Sequence, residues 1–150
     1  MRQVAPDGPV YQAGTLSGNP LATAAGKASL SFLKENPDVY DDLEARGSQM
    51  EEGVMDLLER RGYPLSWTRV GSMASLFFTS ETVTDWNTAA TSDREAFQRF
   101  FWGMLERGYY FAPSPFEALF LSAEHTERDI QGTLVAAEEV LDSVFTDGDR

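Results

Sequence analysis

Two Asn-Pro pairs fix where the first helices of this chain can begin. Asparagine is a favoured N-cap and proline a favoured first helical residue, so the pairs at 19–20 and 36–37 each predict a helix start. Apolar residues follow both pairs at helical spacing: Leu21, Ala25, Ala28 and Phe32 after the first, and Val39, Leu43, Met50, Val54 and Leu57 after the second. The sequence therefore predicts two successive helices, the second ending near Gly62.

The hydrophobic pattern then changes from helical to strand-like. Residues 65–70 and 74–78 are short β-prone runs separated by Gly71-Ser72, which indicates neighbouring strands. Polar turn residues follow up to Asn87. Residues 92–95, Ser-Asp-Arg-Glu, have the spacing of a capping box and predict a third helix, which a glycine at 108 would end.

The rest of the chain alternates short strands with loops before a final helix. Residues 109–111 are predicted to form a strand, 113–115 a rigid proline loop and 120–122 a last short strand. Thr126 and Asp129 have the spacing of a cap for the final helix. The predicted fold class is α+β, with about four helices packed on a small, mostly antiparallel sheet.

Composition excludes several classes of function. The net charge of −12 would repel a phosphate backbone, so no nucleic-acid partner is expected. No apolar run approaches the ~20 residues that span a bilayer, and residues 1–6 lack the apolar core of a signal peptide, so no membrane association is expected. The chain has no cysteine, which rules out disulfides and thiolate metal sites. These features favour a cytoplasmic location for the protein.

Few side chains are suited to chemistry. His125 is the sole histidine and comes directly before a predicted helix cap, where it is expected to pack or to contact backbone rather than to catalyse. With one histidine and no cysteine, no zinc site is expected. Lys27 and Lys34 are the two lysines of the chain.

Two stretches are candidates for a site. Residues 12–20 place two glycines around the hydroxyls of Thr15 and Ser17, just before a helix N-terminus that suits a phosphate. An ordinary capped helix behind a flexible loop explains the same residues. In residues 112–120, Glu117 is a lone carboxylate among apolar and proline residues, so it either lines a polar cleft or faces water in an exposed loop.

The first stretch also carries a family resemblance. Residues 14–21, Gly-Thr-Leu-Ser-Gly-Asn-Pro-Leu, resemble the segment that follows the cofactor lysine in glutamate-1-semialdehyde 2,1-aminomutases, and the wider class-III aminotransferases carry looser variants. Residues 5–13 resemble the aminomutases more than the wider class. Similar motifs continue in order at residues 71–73, 76–79, 103–114, 117–118 and 122–126.

The resemblance implies the C-terminal small domain of a fold-type I enzyme that depends on pyridoxal 5'-phosphate (PLP). Residues 1–20 would be the phosphate-loop edge of a truncated large domain, and residues 21–150 the small domain. In the family, the residues that match Gly14 and Thr15 bind the cofactor phosphate, reaching across a homodimer interface into the partner's active site. The glutamate that matches Glu117 lies near the amino groups of the substrate. The implied activity is that of an isomerase that converts glutamate-1-semialdehyde to 5-aminolevulinate for porphyrin biosynthesis.

Two departures from the family limit this expectation. Pro115, Phe116 and Leu119 stand where the family often has Gln, Tyr and Gly, which changes the loop around Glu117. The Schiff-base lysine of the family lies upstream of the point where this sequence begins, and neither lysine of this chain matches it. PLP chemistry needs a lysine aligned with the cofactor aldehyde, so no residue is assigned a catalytic role and the chain alone is expected to be inactive.

Two other interpretations stay open. Another class-III enzyme, such as an ω-amino-acid aminotransferase, would exchange amino groups between two substrates and would depend on an amino donor. A truncated or degenerate gene product would survive as a non-catalytic remnant or interaction module. Without the body of a large domain, apolar surfaces of residues 1–35 are expected to be exposed and to promote self-association.

Overall fold

The structure is a computed structural model that describes residues 2–146. The described residues form α1 Pro20–Glu35, α2 Asp38–Arg61, β1 Ser66–Val70, β2 Met73–Phe77, α3 Trp86–Ala89, α4 Arg94–Glu106, β3 Leu119–Phe120 and α5 Glu127–Thr146. This confirms the predicted α+β fold class with an antiparallel sheet. None of these helices has the length and apolar content to cross a membrane. The chain divides into two compact units, Met1–Val39 and Tyr40–Arg150, which are described separately.

The first unit combines an irregular segment with α1. Asn19 caps this helix as predicted, since its side-chain oxygen accepts the amide N–H groups of Leu21 and Ala22 at 3.0 and 3.1 Å. The next helix, α2, begins one residue later than predicted. The reason is that Asn36 closes α1 instead: its backbone and side-chain amides donate to the carbonyl oxygen of Phe32 at 2.9 and 2.8 Å.

The second unit contains the sheet, whose strands lie in the order β1-β2-β3. β1 and β2 form the predicted hairpin, paired from Ser66 opposite Phe77 to Val70 opposite Met73. Gly71 has a φ of +60° in the turn, a left-handed conformation that favours glycine. β3 pairs antiparallel with β2 and begins one residue before the predicted 120–122.

Two predictions after the hairpin are corrected by the structure. The predicted polar turn contains the short helix α3, whose N-cap is Asp85. The cap of α4 is Asp93 and not Ser92. The Asp93 carboxylate accepts two first-turn amides at 2.9 Å, whereas the Ser92 hydroxyl is buried and has no hydrogen-bond partner in the part of the chain that the structure describes.

The prediction of a strand at residues 109–111 is wrong. The amide of Gly108 donates to the carbonyl of Leu105 at 2.9 Å, and the amide of Tyr109 donates to that of Met104 at 2.9 Å. These two bonds are the Schellman pattern that ends a helix. An amide that closes a helix cannot also pair in a sheet, so the segment finishes α4 and continues as irregular backbone.

The core of the second unit lies where α4 and α5 meet. Its large, fully buried side chains are Phe100, Met104, Ile130 and Leu141. The two helices come close at Gly103, where an added Cβ would lie 2.7 Å from Cγ1 of Val140. The missing side chain at this position therefore sets the distance between the helices.

Candidate functional site

The loop before α1 is held by its own backbone. The amide of Ser17 donates to the carbonyl of Gly14 at 3.0 Å, and the amide of Asn19 donates to that of Leu16 at 3.0 Å. Gly18 has a φ of +76°, which glycine adopts without strain. The loop thus forms two successive turns, and its residues are exposed.

Helix α1 has no unpaired amide to offer an anion in its first turn. Pro20 lacks an N–H, Asn19 accepts the amides of Leu21 and Ala22, and the amide of Thr23 donates to the Asn19 carbonyl at 2.9 Å. The first turn of α1 therefore lacks the unpaired amides that the sequence predicted for binding a phosphate. An anion at this helix start would be held by the loop, with help from the helix dipole.

Gly14 and Thr15, the two residues predicted to bind a cofactor phosphate, lie together in the first of these turns. Within residues 2–146, no hydrogen bond uses the backbone amide of either residue or the hydroxyl of Thr15. The turn thus presents two N–H donors and one O–H donor to solvent. Phosphate oxygens accept such donors, so these residues fit the phosphate end of the cofactor.

The two lysines follow the loop and lie within α1. At a rise of about 1.5 Å per residue, Lys27 is roughly 10 Å and Lys34 roughly 21 Å along the helix from Pro20. Neither lysine belongs to the turn that carries the phosphate donors. The residues present therefore fit the phosphate end of the cofactor and do not supply its lysine.

Glu117, the predicted substrate residue, belongs to the second unit and lies between α4 and β3. It is exposed, and its backbone amide donates to the carbonyl of Ser114 at 3.3 Å. It also borders a narrow cleft of about 10 Å³, which is far below the size of a ligand pocket. In this chain Glu117 therefore faces water, the second of the two predicted alternatives.

Phe116 anchors the loop that carries Glu117. The centroid of its ring lies 5.1 Å from that of Trp86, and the guanidinium carbon of Arg94 lies 5.2 Å from the Phe116 centroid. The Phe116 amide also donates to the Ser114 hydroxyl at 3.3 Å. Sequence reasoning missed Trp86 and Arg94, because both fall in segments interpreted only as a turn and a cap; a tryptophan in a predicted turn was the one available signal.

His125 contacts backbone, as its place before a helix cap suggests. Its Nδ1 accepts the backbone amide of Ser122 at 3.0 Å, and its carbonyl accepts a hydrogen bond from Nε of Arg46 at 2.6 Å. The predicted cap follows it, since the amide of Thr126 donates to the Asp129 carboxylate at 2.7 Å. His125 thus shapes the start of α5.

The sequence of this chain is similar to those of known enzymes. No family model matches the chain. It is 53% identical over 141 residues to the glutamate-1-semialdehyde 2,1-aminomutase of Thermus thermophilus, and 52% identical over 144 residues to that of Desulfitobacterium hafniense. These alignments cover 94% and 96% of this chain but 33% of each relative. The chain thus spans about a third of the length of the curated relatives it matches.

The fold is shared with solved enzymes. A glutamate-1-semialdehyde-aminomutase from Pseudomonas aeruginosa PAO1 matches with a TM-score of 0.78 at 21% identity, over 93% of this chain and 31% of that one. An omega-transaminase from Sphaerobacter thermophilus matches with a TM-score of 0.77 at 25% identity, over 91% and 31%. Over nearly its whole length, the chain is therefore similar to the C-terminal third of the glutamate-1-semialdehyde 2,1-aminomutases and has the fold of that part of the transaminases.

Proposed function

We propose that this chain is the C-terminal third of a PLP-dependent aminomutase that converts glutamate-1-semialdehyde to 5-aminolevulinate. The reaction moves an amino group from C2 to C1 of the substrate, which makes the enzyme an isomerase of tetrapyrrole synthesis, and we place it in the cytoplasm. The observation that carries the proposal is the 53% identity over 94% of this chain to a protein of that name. Residues 1–20 would belong to the edge of the large domain and residues 21–150 to the small domain.

The cofactor supplies the electron sink through which an amino group can be removed from one carbon and returned to another. This chain would bind only its phosphate. The exposed amides of Gly14 and Thr15 and the Thr15 hydroxyl would donate to the phosphate oxygens. In the assembled homodimer, this loop would serve the active site of the partner subunit.

Glu117 would position the substrate by accepting hydrogen bonds from its amino groups. Its exposure in this chain leaves both carboxylate oxygens open to such donors. The contacts of Phe116 with Trp86 and Arg94 support this role, because they restrict the backbone from which the carboxylate projects.

The chain alone should form no Schiff base with the cofactor. Neither Lys27 nor Lys34 lies in the phosphate loop, and the chain offers no other lysine. We expect that PLP mixed with this chain and reduced with borohydride leaves no stoichiometric adduct in the intact mass spectrum. A specific adduct on either lysine would contradict the expected inactivity.

The activity itself is tested in a fusion protein. The first two thirds of the Thermus thermophilus aminomutase are joined to this chain at the matched position, and 5-aminolevulinate is measured from glutamate-1-semialdehyde without an added amino donor. The proposal expects activity from the fusion protein and none from this chain. A fusion that folds and binds PLP but stays inactive would favour a non-catalytic remnant.

The phosphate loop is tested in the same fusion protein with a matched pair of variants. Thr15→Val removes the hydroxyl at nearly constant volume and is expected to weaken PLP binding about tenfold, the loss of one hydrogen bond to a charged group. Ser17→Ala, at the last residue of the same turn, removes a hydroxyl that is not expected to contact the phosphate; it is the control and should leave PLP binding nearly unchanged. Equal effects of the two variants would argue against a specific role for Thr15.

A second class-III activity is the alternative. The structure superimposes on an omega-transaminase about as closely as on an aminomutase, with TM-scores of 0.77 and 0.78. The fold therefore does not distinguish the two activities. Dependence on an amino donor separates them, because an aminotransferase needs a second amino compound and an aminomutase does not. Turnover that requires an added amine would favour the aminotransferase.

A further inference from the structure

A cavity of about 440 Å³ lies within the second unit, and its lining includes Ala112 and Ala118, at the two ends of the loop that carries Glu117, but not Glu117 itself. It is bounded by the middle of α2, one face of the sheet, the segment after α4 and the first half of α5. Small-molecule sites typically have volumes of about 300–1,000 Å³. The cavity is therefore large enough for a ligand of one or two rings.

Small side chains leave this space open. The register of the hairpin pairs Trp67 with Leu76 and Arg69 with Ala74, and all four residues line the cavity from one face of the sheet. Ala74 is the smallest of them, and Gly47 of α2 also lines the cavity. A cavity of this size with mostly apolar walls favours an occupant with an apolar body.

Aromatic side chains make up much of the wall. Trp67, Tyr109, Tyr110, Phe111 and Phe120 all line the cavity. Aromatic faces carry partial negative charge and attract organic cations as well as apolar groups.

The charged groups of the cavity also favour a cation. Arg69 is already neutralised, since its Nε donates to Glu51 at 2.9 Å and its Nη1 to Glu44 at 2.9 Å. Nδ1 of His125 already accepts a hydrogen bond from the backbone N–H of Ser122 at 3.0 Å. Among the described lining residues, Asp129 is left with a charge that no ion pair compensates.

Asp129 keeps that charge at neutral pH. Its Oδ2 accepts hydrogen bonds from the amide and the hydroxyl of Thr126, both at 2.7 Å. These bonds, helped by the nearby charge of Arg128, lower the pKa of Asp129. The net charge of −12 on the chain attracts cations from a distance as well.

We propose that this cavity is a binding site for a small amphipathic cation, whose apolar body packs against the aromatic wall while its ammonium group meets Asp129. The site is independent of the aminomutase reaction, because it shares neither the phosphate loop nor Glu117. Nothing in the proposal requires PLP or the rest of the enzyme.

The first test varies the charge of the ligand. Binding of 1-naphthylmethylammonium to this chain is measured by calorimetry and compared with the neutral 1-naphthylmethanol and the anionic 1-naphthylacetate. The cation is expected to bind about tenfold more tightly than the alcohol, the difference of one charge-assisted hydrogen bond. Equal or tighter binding of the alcohol or the acetate would overturn the proposal.

The second test varies the protein. Asp129→Asn keeps an oxygen that can accept the Thr126 amide, so α5 should stay capped while the preference for the cation falls to about twofold or less. Ala74→Phe fills the cavity and should abolish binding. Ser75→Phe, on the opposite face of the same strand, is the control and should bind as the original chain does.

Amide chemical shifts locate the bound cation and make the test decisive even if Ala74→Phe fails to fold. Shifts confined to the cavity-lining residues, and weaker in Asp129→Asn at the same ligand concentration, support the site. Shifts centred on residues 20–35 instead, or binding that neither variant alters, would show adsorption to exposed apolar surface and would overturn it.

Discussion

At the scale of single residues, Glu138 connects the end of α2 to α5. It accepts hydrogen bonds from Nη1 of Arg60 at 3.0 Å and from Nη2 of Arg61 at 2.7 Å. Asp142, one turn further along α5, forms an ion pair with Arg61 at 3.1 Å and accepts a hydrogen bond from the Tyr63 hydroxyl. One carboxylate thus holds two arginines at the place where the chain leaves α2 for the sheet.

Glu138→Gln should make the stability of the chain less dependent on pH. The hydrogen bonds from Arg60, and then those from Arg61, lower the pKa of Glu138 to about 2. A carboxyl group with a lowered pKa in the folded state stabilises fully above its unfolded value, about 4.3, and loses this contribution as the pH falls towards 2. We expect Glu138→Gln to cost about 0.5–1 kcal/mol at pH 7 and progressively less below pH 4.

Thermal unfolding followed between pH 2 and 7 measures this difference. Glu139→Gln is the matched control, because Glu139 pairs with Arg107 alone, at 3.2 Å, and is the more exposed of the two carboxylates. Its effect should be smaller at every pH. A cost of Glu138→Gln that stays constant down to pH 2 would contradict the assigned role of the two arginines.

At the scale of elements, the distance between α4 and α5 depends on Gly103. A Cβ there would lie 2.7 and 3.1 Å from the two Cγ atoms of Val140, which is buried and has a stiff, branched side chain. Gly103→Ala should therefore force the helices apart and destabilise the chain by about 1–3 kcal/mol.

Denaturant unfolding tests Gly103→Ala against Gly26→Ala. A Cβ at Gly26 meets no atom within 4 Å, so this variant should be neutral or stabilise α1 by up to about 1 kcal/mol. Both changes are glycine to alanine within a helix, so their difference isolates the contact with Val140. Equal effects would mean that the helices adjust at no cost.

The loop of Glu117 depends on a contact between elements distant in sequence. Removing the Trp86 ring should free Phe116 and speed amide hydrogen exchange in residues 114–117 by about tenfold, the loss of an aromatic pair worth about 0.5–1.5 kcal/mol. Trp102→Ala is the control, because Trp102 is similarly exposed, 53% against 64%, and packs instead on Phe101. Unchanged exchange in Trp86→Ala would show that Pro115 and the Ser114 hydroxyl hold the loop without help.

These elements also show what the sequence can and cannot predict. Asn19 and the Thr126–Asp129 cap were predicted correctly, because a cap acts on amides within three residues of itself. The predicted strand at 109–111 was wrong because α4 and the sheet compete for the backbone amide of Tyr109. No local sequence pattern indicates which of the two will form the hydrogen bond with it. The contact of Trp86 with Phe116 spans thirty residues, so the anchoring of the Glu117 loop lay beyond any local signal.

At the scale of the whole molecule, the apolar side chains of the first unit remain uncovered. No residue of α1 is buried, and Leu21 and Leu30 are 80% and 69% exposed. The sequence predicted such exposure for residues 1–35 from the resemblance. An apolar surface of this kind favours association with another protein surface.

The chain should therefore self-associate through α1. We expect its weight-average mass in light scattering to rise above 16.7 kDa as the concentration increases, and the double variant Leu21→Gln/Leu30→Gln to reduce that rise. Met55→Gln is the control, since Met55 is 51% exposed but lies on α2. A chain that stays monomeric at high concentration would contradict this expectation.

The cap that Asn19 provides has a consequence for how a bound phosphate would be detected. The amides in the first turn of α1 are hydrogen-bonded without a ligand, so phosphate binding to the loop would not change the helix content of the chain. The far-ultraviolet circular dichroism spectrum would then stay the same when a phosphate binds to the loop. A spectroscopic probe attached within residues 14–18 would detect the bound phosphate. The forms with and without phosphate would differ in how ordered this loop is, while α1 would be the same in both.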